Sequence, residues 1–159
     1  MAGKFWLFKS EPECYSMDHL KNEKGGIGSW DGVRNYQARN LLRDDVKKGD
    51  GVLFYYSNTA IIGVAGIAEV VRSGYPDHTA RDPENEHFDS KATEDNPIWY
   101  MVDIKFCEKF VEVLPLTLLK ATPGLEKMML TQRGSRLSIQ PVTKSEWRIV
   151  TKLGRRKKE

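Results

Sequence analysis

The chain has 159 residues, a length typical of one domain with a sizeable apolar core. Hydrophobic residues make up 40% and charged residues 30%, which excludes global disorder, and no apolar run approaches the roughly 20 residues that cross a bilayer. The net charge is +3, but the last eight residues carry +4, so residues 1–151 carry −1; this disfavours a sequence-independent nucleic-acid coat and leaves room for a local basic patch.

Apolar periodicity and chain-breaking residues predict the order of the elements. They are a strand at 5–8, a helix from a Ser16 cap to Lys21, a helix that buries Ala38, Leu41 and Leu42, strands at 52–56, 61–71 and 98–106, helical turns at 115–120 and 123–129, a strand at 136–140, and a helix after a capping box at 143–146. Glycines in the central strand predict a bulge. This order fits an α+β fold, with a small, strongly bent sheet or curved barrel flanked by short helices, because regular βαβ alternation is missing.

Residues 77–97 differ from the rest of the chain. They include seven acids, two bases and two prolines, without apolar periodicity. Loops of this length in compact domains are usually functional or disordered. The aromatic residue that precedes the loop, Tyr75, favours a lid over a pocket.

Recognised catalytic and cofactor motifs are missing from the sequence. It has no nucleophile elbow, phosphate loop or dinucleotide fingerprint, so no catalytic residue and no cofactor is predicted. Cys14 and Cys107 are far apart and near no second cysteine, which favours reduced thiols over a disulfide or a metal site. The N-terminus lacks a cleavable signal, so we expect a cytoplasmic or nuclear protein.

The segment 30–40 combines an aromatic ring, a carboxylate, a glycine and a guanidinium on a turn before a helix. Trp30, Asp31 and Arg34 are suited to binding a flat polar ligand, but a core tryptophan with an aspartate helix cap and a solvated arginine explains them about equally well. Polar and aromatic residues at strand ends add candidate pocket walls, and a nucleobase outside its stack is recognised by such groups. These candidates are Lys9, Ser10, Tyr55, Ser57, Asn58, Tyr75, Arg136 and Ser138.

Four segments carry a family resemblance. WLFKSEP at 6–12, WDGVRNYQARN at 30–40, YPDHT at 75–79 and RLSIQPV at 136–142 together resemble the EVE domain family. The resemblance spans nearly the whole chain, which predicts one EVE domain at 1–151 and a basic tail at 152–159. It implies a PUA-like fold, a curved β-barrel with helices packed around it, related to the YTH readers of methylated adenine in RNA.

The resemblance also implies a function, a non-catalytic reader of a modified nucleobase. The base is expected to be a modified cytosine in DNA, with RNA also proposed for the family, and to be single-stranded or flipped out. Trp30 is expected to stack on the base, and Asp31 and Arg34 to fix the shape of the pocket. The expected walls are Lys9, Ser10 and Asn35 at the entrance and Tyr55, Ser57 and Asn58 on another side.

Two alternatives remain open at this point. One is an enzyme that acts on a modified nucleotide or RNA with Asp31 or Asp77 as acid or base. The other is a protein adaptor whose pocket is vestigial. The chain also departs from the family pattern: Tyr56 stands where histidine is frequent, which removes a titratable group, and Phe8 stands where methionine is common.

Overall fold

Residues 3–156 are described by the computed structural model, which contains a mixed sheet with short helices. The strands are β1 Phe5–Ser10, β2 Ile27–Trp30, β3 Gly51–Tyr56, β4 Gly63–Pro76, β5 Tyr100–Pro115 and β6 Ile139–Val142. The helices are α1 Met17–Asn22, α2 Tyr36–Asn40, α3 Leu116–Lys120 and α4 Lys144–Gly154, and a π-helical turn at Leu41–Asp45 continues α2.

The sheet has six strands in the order β2-β5-β4-β3-β1-β6. β1 pairs with β3 in parallel, and the remaining neighbours pair antiparallel. The predicted α+β fold with a strongly bent, PUA-like sheet and short helices is confirmed, and within residues 3–156 the sheet stays open, with β2 and β6 at its edges.

The bend is built into the long β4–β5 pair. Its register shifts four times along its length, and β-bulges of this kind bend and twist strands. A side chain at Gly66 would place its Cβ 2.3 Å from the carbonyl oxygen of Glu108, so only glycine permits the close approach of the two strands. The bulge predicted at the glycines of the central strand is therefore present.

The sheet is covered on both faces, and strand alternation decides which residue faces which side. On β1, Trp6 and Phe8 join a core cluster with α1, α2 and β2, while Leu7 joins a second cluster with α3 and α4. Side chains alternate across a strand with a period of two, which explains why adjacent apolar residues divide between the two cores.

Local capping chemistry sets the helix ends. Ser16 accepts a hydrogen bond from the backbone N–H of His19, and Thr143 and Glu146 form the predicted capping box of α4. The cap of α2 is Asn35, whose side chain accepts from the backbone N–H of Ala38 at 2.9 Å, so Asp31 does not cap this helix. Capping satisfies backbone donors that have no partner within the helix.

Several elements differ from the predicted bounds. β4 continues to Pro76 instead of residue 71, β6 spans Ile139–Val142 instead of 136–140, and a short 3₁₀ turn at Met129–Thr131 replaces most of the helical turns predicted at 123–129. Trp30 ends a short edge strand, β2, which the glycine-rich sequence around it concealed. β5 continues to Pro115, well past the expected end of the strand at residue 106. α4 continues to Gly154, so the basic tail predicted at 152–159 begins within this helix, and its residues 157–159 lie outside the described residues.

Candidate functional site

A cleft of about 660 Å³ opens where β1 and β2 end. Its walls come from the ends of these strands, the turn at 31–34, the long loop and the residue before β6. The lining residues are Lys9, Ser10, Cys14, Tyr15, Glu23, Ser29, Trp30, Asp31, Gly32, Val33, Arg34, Glu86, His87 and Ser138. Six of the twelve predicted site residues meet here: Lys9, Ser10, Trp30, Asp31, Arg34 and Ser138.

Trp30 forms part of the apolar floor of the cleft and is also a core residue. The residue is only 7% exposed. Its ring centroid lies 5.2 Å from that of Phe8, 5.3 Å from that of Phe54 and 6.1 Å from that of Tyr15. The core interpretation of this tryptophan therefore holds, because most of the residue is packed, and its predicted stacking on a base stays a prediction, with only a small part of the ring facing the cleft.

Tyr15 is the more accessible aromatic residue of the cleft. It is half-buried, and its hydroxyl donates to Glu23 Oε1 at 3.4 Å. Burial first, and then the negative charge of Glu23, raise the pKa of Tyr15, which keeps the phenol a neutral donor. Ser10 holds the segment in place, since its Oγ donates to the Tyr15 carbonyl at 2.8 Å.

A buried carboxylate joins the turn at 31–34 to the long loop. Asp77 is 1% exposed and accepts hydrogen bonds from Gly32 N at 2.9 Å, Arg34 Nη1 at 3.0 Å, Thr79 N at 2.9 Å and the Thr79 hydroxyl. Burial alone would raise the pKa of Asp77, but the hydrogen bonds from Thr79, Gly32 and Arg34 together hold it below its usual value. Asp77 is therefore a charged acceptor, and hydrogen bonds from the protein itself occupy both of its carboxylate oxygens.

Arg34 extends this connection to the loop segment that faces the cleft. Its Nε and Nη2 donate to the carbonyl oxygen of His87 at 3.1 and 2.7 Å, and its guanidinium lies 5.3 Å from the ring centroid of Trp99. Gly32 has φ of +73°, and a Cβ there would lie 2.6 Å from the imidazole of His87. Arg34 and Gly32 thus place the loop against the turn, so that the loop forms one wall of the cleft.

Asp31 supplies an accessible acceptor to the cleft. Among residues 3–156 no hydrogen bond or ion pair engages its carboxylate. Partial burial of this group, and then the nearby Asp77, raise its pKa, whereas His87, His78 and Arg34 act in the opposite direction. A carboxylate without a protein partner is suited to accept a hydrogen bond from a ligand amino group.

Comparison with known proteins assigns the chain to a family. The EVE domain profile matches residues 4–153. The chain belongs to the EVE domain family. Human thymocyte nuclear protein 1 is 42% identical over an alignment of 164 positions, gaps included, that covers 93% of this chain and 72% of the human protein. A crystal structure of a protein from Pseudomonas syringae is 45% identical, with a TM-score of 0.88 and coverage of 94% of this chain and 98% of that chain.

One solved structure of a relative contains a nucleic acid. It is the crystal structure of human THYN1 protein in complex with 5-methylcytosine-containing DNA, with 41% identity and a TM-score of 0.88. The match covers 98% of this chain and 99% of that chain. A structure of an ASCH protein from Zymomonas mobilis, at 10% identity and a TM-score of 0.53, shares the fold alone.

Three further predicted residues of this EVE domain lie near the cleft without lining it. Asn35 caps α2 and faces a neighbouring depression of the surface. Tyr55 is 4% exposed, and the ammonium of Lys9 lies 5.6 Å from its ring centroid. Arg136 lines this depression and a second one on the other side of its segment. Their predicted contacts with a base stay predictions.

The remaining predicted residues make contacts elsewhere. Ser57 pairs its backbone N–H with the carbonyl of Ser10, and the Asn58 amide donates to Glu11 Oε1 at 3.2 Å. The Tyr75 hydroxyl bonds to Asp103 and lies 3.1 Å from Ser29 Oγ. Ser57 and Asn58 thus adjoin the end of β1, and Tyr75 braces β2 from outside the cleft.

Sequence reasoning missed eight lining residues of the cleft. They are Cys14, Tyr15, Glu23, Ser29, Gly32, Val33, Glu86 and His87. Tyr15, just after the first strand and just before a helix cap, carried a usable signal, because aromatic residues at strand ends were already candidates. Glu86 and His87 carried none, since a loop without periodicity does not indicate which of its residues turn inward.

Within residues 3–156, no cluster of three or more His, Cys, Asp or Glu side chains has the geometry to hold a metal ion. In the same part of the chain, the helices are too short and too polar to cross a bilayer.

Proposed function

We propose that the cleft binds a modified cytosine, presented by single-stranded or flipped-out DNA, and leaves the base chemically unchanged. The observation that carries the proposal is the likeness to human THYN1 protein, whose structure contains 5-methylcytosine DNA and matches almost all of both chains. A nuclear location, which the name of the thymocyte relatives implies, agrees with a DNA ligand.

The polar groups of the cleft suit the edge of a cytosine. Cytosine presents an N4 amino donor, which carboxylates accept, whereas thymine presents a carbonyl acceptor at the same place. Asp31 offers such an acceptor, and within residues 3–156 its carboxylate has no protein partner. Trp30 and Val33 provide an apolar surface for a methyl group on C5.

The contacts of the acidic residues favour binding over catalysis. Asp77 was one of two candidate acids or bases, but four donors from the protein occupy its oxygens and it is 1% exposed. A general base must lie within reach of a substrate proton. Asp31 alone of the two lines the cleft, and no nucleophile or orienting base among residues 3–156 is bonded to it.

Replacing Asp31 with asparagine is expected to weaken binding of a 5-methylcytosine oligonucleotide by about tenfold, because a hydrogen bond to a charged acceptor is about twice as strong as one to a neutral amide oxygen and contributes about 1.5–3 kcal/mol. The measurement is fluorescence anisotropy with single-stranded DNA that carries one central 5-methylcytosine or one cytosine. Asp18→Asn removes the same charge from an exposed ion pair with Lys109 and serves as the control.

The wild-type protein should prefer the methylated strand, and mass spectrometry should recover this strand unchanged. An unaltered affinity of the Asp31→Asn variant would remove Asp31 from the base site. Conversion of the methylated base, abolished by Asp31→Asn, would replace the reader with the enzyme alternative. Absence of any binding of the methylated strand by the wild-type protein would count against the proposed function as a whole.

A further inference from the structure

A strongly basic strip of surface lies beside the cleft. Two depressions of about 460 and 550 Å³ flank the segment 132–136, and we call them together the basic groove. Their lining includes four basic side chains and no acidic one: Lys9, Lys120, Arg133 and Arg136. By contrast, the cleft itself carries the acids Glu23, Asp31 and Glu86 beside Lys9 and Arg34.

Three of these cations have no partner in the part of the chain that the structure describes. Within residues 3–156, the side chains of Lys120, Arg133 and Arg136 form no hydrogen bond or ion pair, and all three residues are exposed. Residues 1–151 together carry a net charge of −1, so a local group of four cations is a concentrated feature and not a reflection of overall composition.

The segment that carries the two arginines is held firmly by the protein. The buried amide of Gln140 donates to Ser135 Oγ and to the Leu137 carbonyl, both at 2.8 Å. Lys9 Nζ donates to the Ser135 carbonyl at 2.9 Å, and Gln132 Nε2 donates to the Met128 carbonyl at 3.0 Å. The backbone is therefore fixed while the guanidinium groups stay available, which lowers the entropic cost of binding a ligand.

The basic groove is continuous with the cleft. Lys9 lines both the cleft and one depression, and Ser138 lines both the cleft and the other. Partial burial lowers the pKa of Lys9. Its side chain lies at the junction between the acidic cleft and the basic groove. If one base of a nucleic-acid strand occupies the cleft, the phosphates next to that base would therefore lie along the basic groove.

We infer that the basic groove binds the phosphodiester backbone of the strand that presents the base. This inference rests on the proposed function and adds a second site with separate chemistry: the cleft selects the base, and Lys120, Arg133 and Arg136 bind the flanking phosphates. Phosphate contacts position a nucleic acid and supply affinity without reading its sequence. Arg136 is thereby assigned to the backbone and not to the base.

The test is a triple variant, Lys120→Gln, Arg133→Gln and Arg136→Gln, compared over a range of salt concentrations. The matched control removes three exposed charges from α4 with Lys144→Gln, Arg148→Gln and Lys152→Gln. Two ligands are used. One is a single-stranded DNA oligonucleotide with one central 5-methylcytosine, and the other is the free nucleoside 5-methyl-2′-deoxycytidine, which has no phosphate.

For the groove variant we expect a loss of about 10- to 100-fold in oligonucleotide affinity, and a plot of log K against log salt flatter by about 2, because each phosphate contact on a single strand contributes about 0.7 to this slope. The preference for methylated over unmethylated strands, and the affinity for the free nucleoside, should stay unchanged. Retained nucleoside binding also shows that the variant is folded.

The outcomes separate the inference from the proposed function. If the wild-type protein binds the oligonucleotide and the groove variant keeps its affinity and salt slope, the backbone site is wrong and the base site stands. An equal loss in the α4 variant likewise overturns the backbone site. If the wild-type protein binds neither ligand, the proposed function fails and the inference fails with it.

Discussion

Replacing Asp77 with alanine is expected to lower the free energy of unfolding by about 3 kcal/mol, because removal of one partner leaves the other buried charge uncompensated. The Arg34 side chain is 22% exposed and the Asp77 side chain is fully buried. Without Asp77, the guanidinium would therefore have little water to solvate its charge. The backbone N–H of Gly32 would also lose its acceptor. Urea denaturation monitored by tryptophan fluorescence measures the change.

The matched control is an ion pair of equal length on the surface. Asp18 and Lys109 are 3.0 Å apart, with side chains 61% and 48% exposed. Exposed pairs of this kind contribute about 0–1 kcal/mol, so Asp18→Ala should scarcely change the unfolding curve. Equal effects of Asp77→Ala and Asp18→Ala would show that the buried pair does not hold the long loop.

The same carboxylate predicts a pH dependence of stability. The folded-state pKa of Asp77 is lowered, so its contribution is complete above the unfolded-state value of about 3.9 and is lost as the pH falls toward the lower folded value. The wild-type protein should therefore lose more stability than Asp77→Asn on acidification through this range. Parallel pH profiles of the two proteins would contradict the assignment.

Replacing Trp30 with alanine is expected to cost about 3–5 kcal/mol of unfolding free energy, the usual range for removal of a large buried aromatic side chain. The residue is 7% exposed and its indole contacts three other aromatic rings, so a cavity would remain in the core. The measurement is again urea denaturation. Loss of ligand binding by Trp30→Ala would therefore report unfolding as well as any lost stacking.

An exposed aromatic residue provides the control. Tyr36 is 59% exposed and stacks on Trp99, so Tyr36→Ala should cost about 1 kcal/mol. A Trp30→Ala variant as stable as the Tyr36→Ala variant would mean that Trp30 is a ligand-facing residue and not part of the core. Trp30→Phe, which keeps an aromatic ring at this position, is the better variant for binding studies.

Local patterns predicted much of the fold. The capping box before α4, the alternation along β5 and the glycine bulge of β4 each depend on neighbours in sequence. β2 escaped prediction because its pairing with β5 joins residues far apart in the chain and its sequence, IGSW, has little strand character of its own. An edge strand of this kind forms because it pairs and packs with its neighbouring strand, and its own residues contribute little preference for the extended conformation.

The site was harder to predict because its geometry depends on distant contacts. His87 forms a wall of the cleft because the guanidinium of Arg34 binds its carbonyl oxygen, and the two residues are 53 positions apart in the sequence. The sequence makes Tyr75 a candidate wall of the pocket, but register shifts between Val70 and Tyr75 decide which face of the sheet its side chain occupies. One bulge reverses the side-chain alternation, and no local pattern reveals how many bulges intervene.

The site residues that strand ends did reveal share one physical cause. Lys9 and Ser10 end β1, and Ser138 comes just before β6. Strands β1 and β6 are neighbours in the sheet, and so their ends meet at one edge. The helix cap at Asn35 shows the opposite case, since asparagine suits a cap and a base edge equally well and sequence alone does not distinguish the two.

Two exposed cysteines allow a direct test of where the base binds. Cys14 lines the cleft, and Cys107 lies on β5 outside it. Alkylation of both thiols by iodoacetamide is followed by mass spectrometry, with and without a saturating single-stranded oligonucleotide that carries one 5-methylcytosine. The cleft account predicts slower alkylation of Cys14 and an unchanged rate at Cys107. An unchanged rate at Cys14, while anisotropy in the same sample shows the oligonucleotide to be bound, would contradict it.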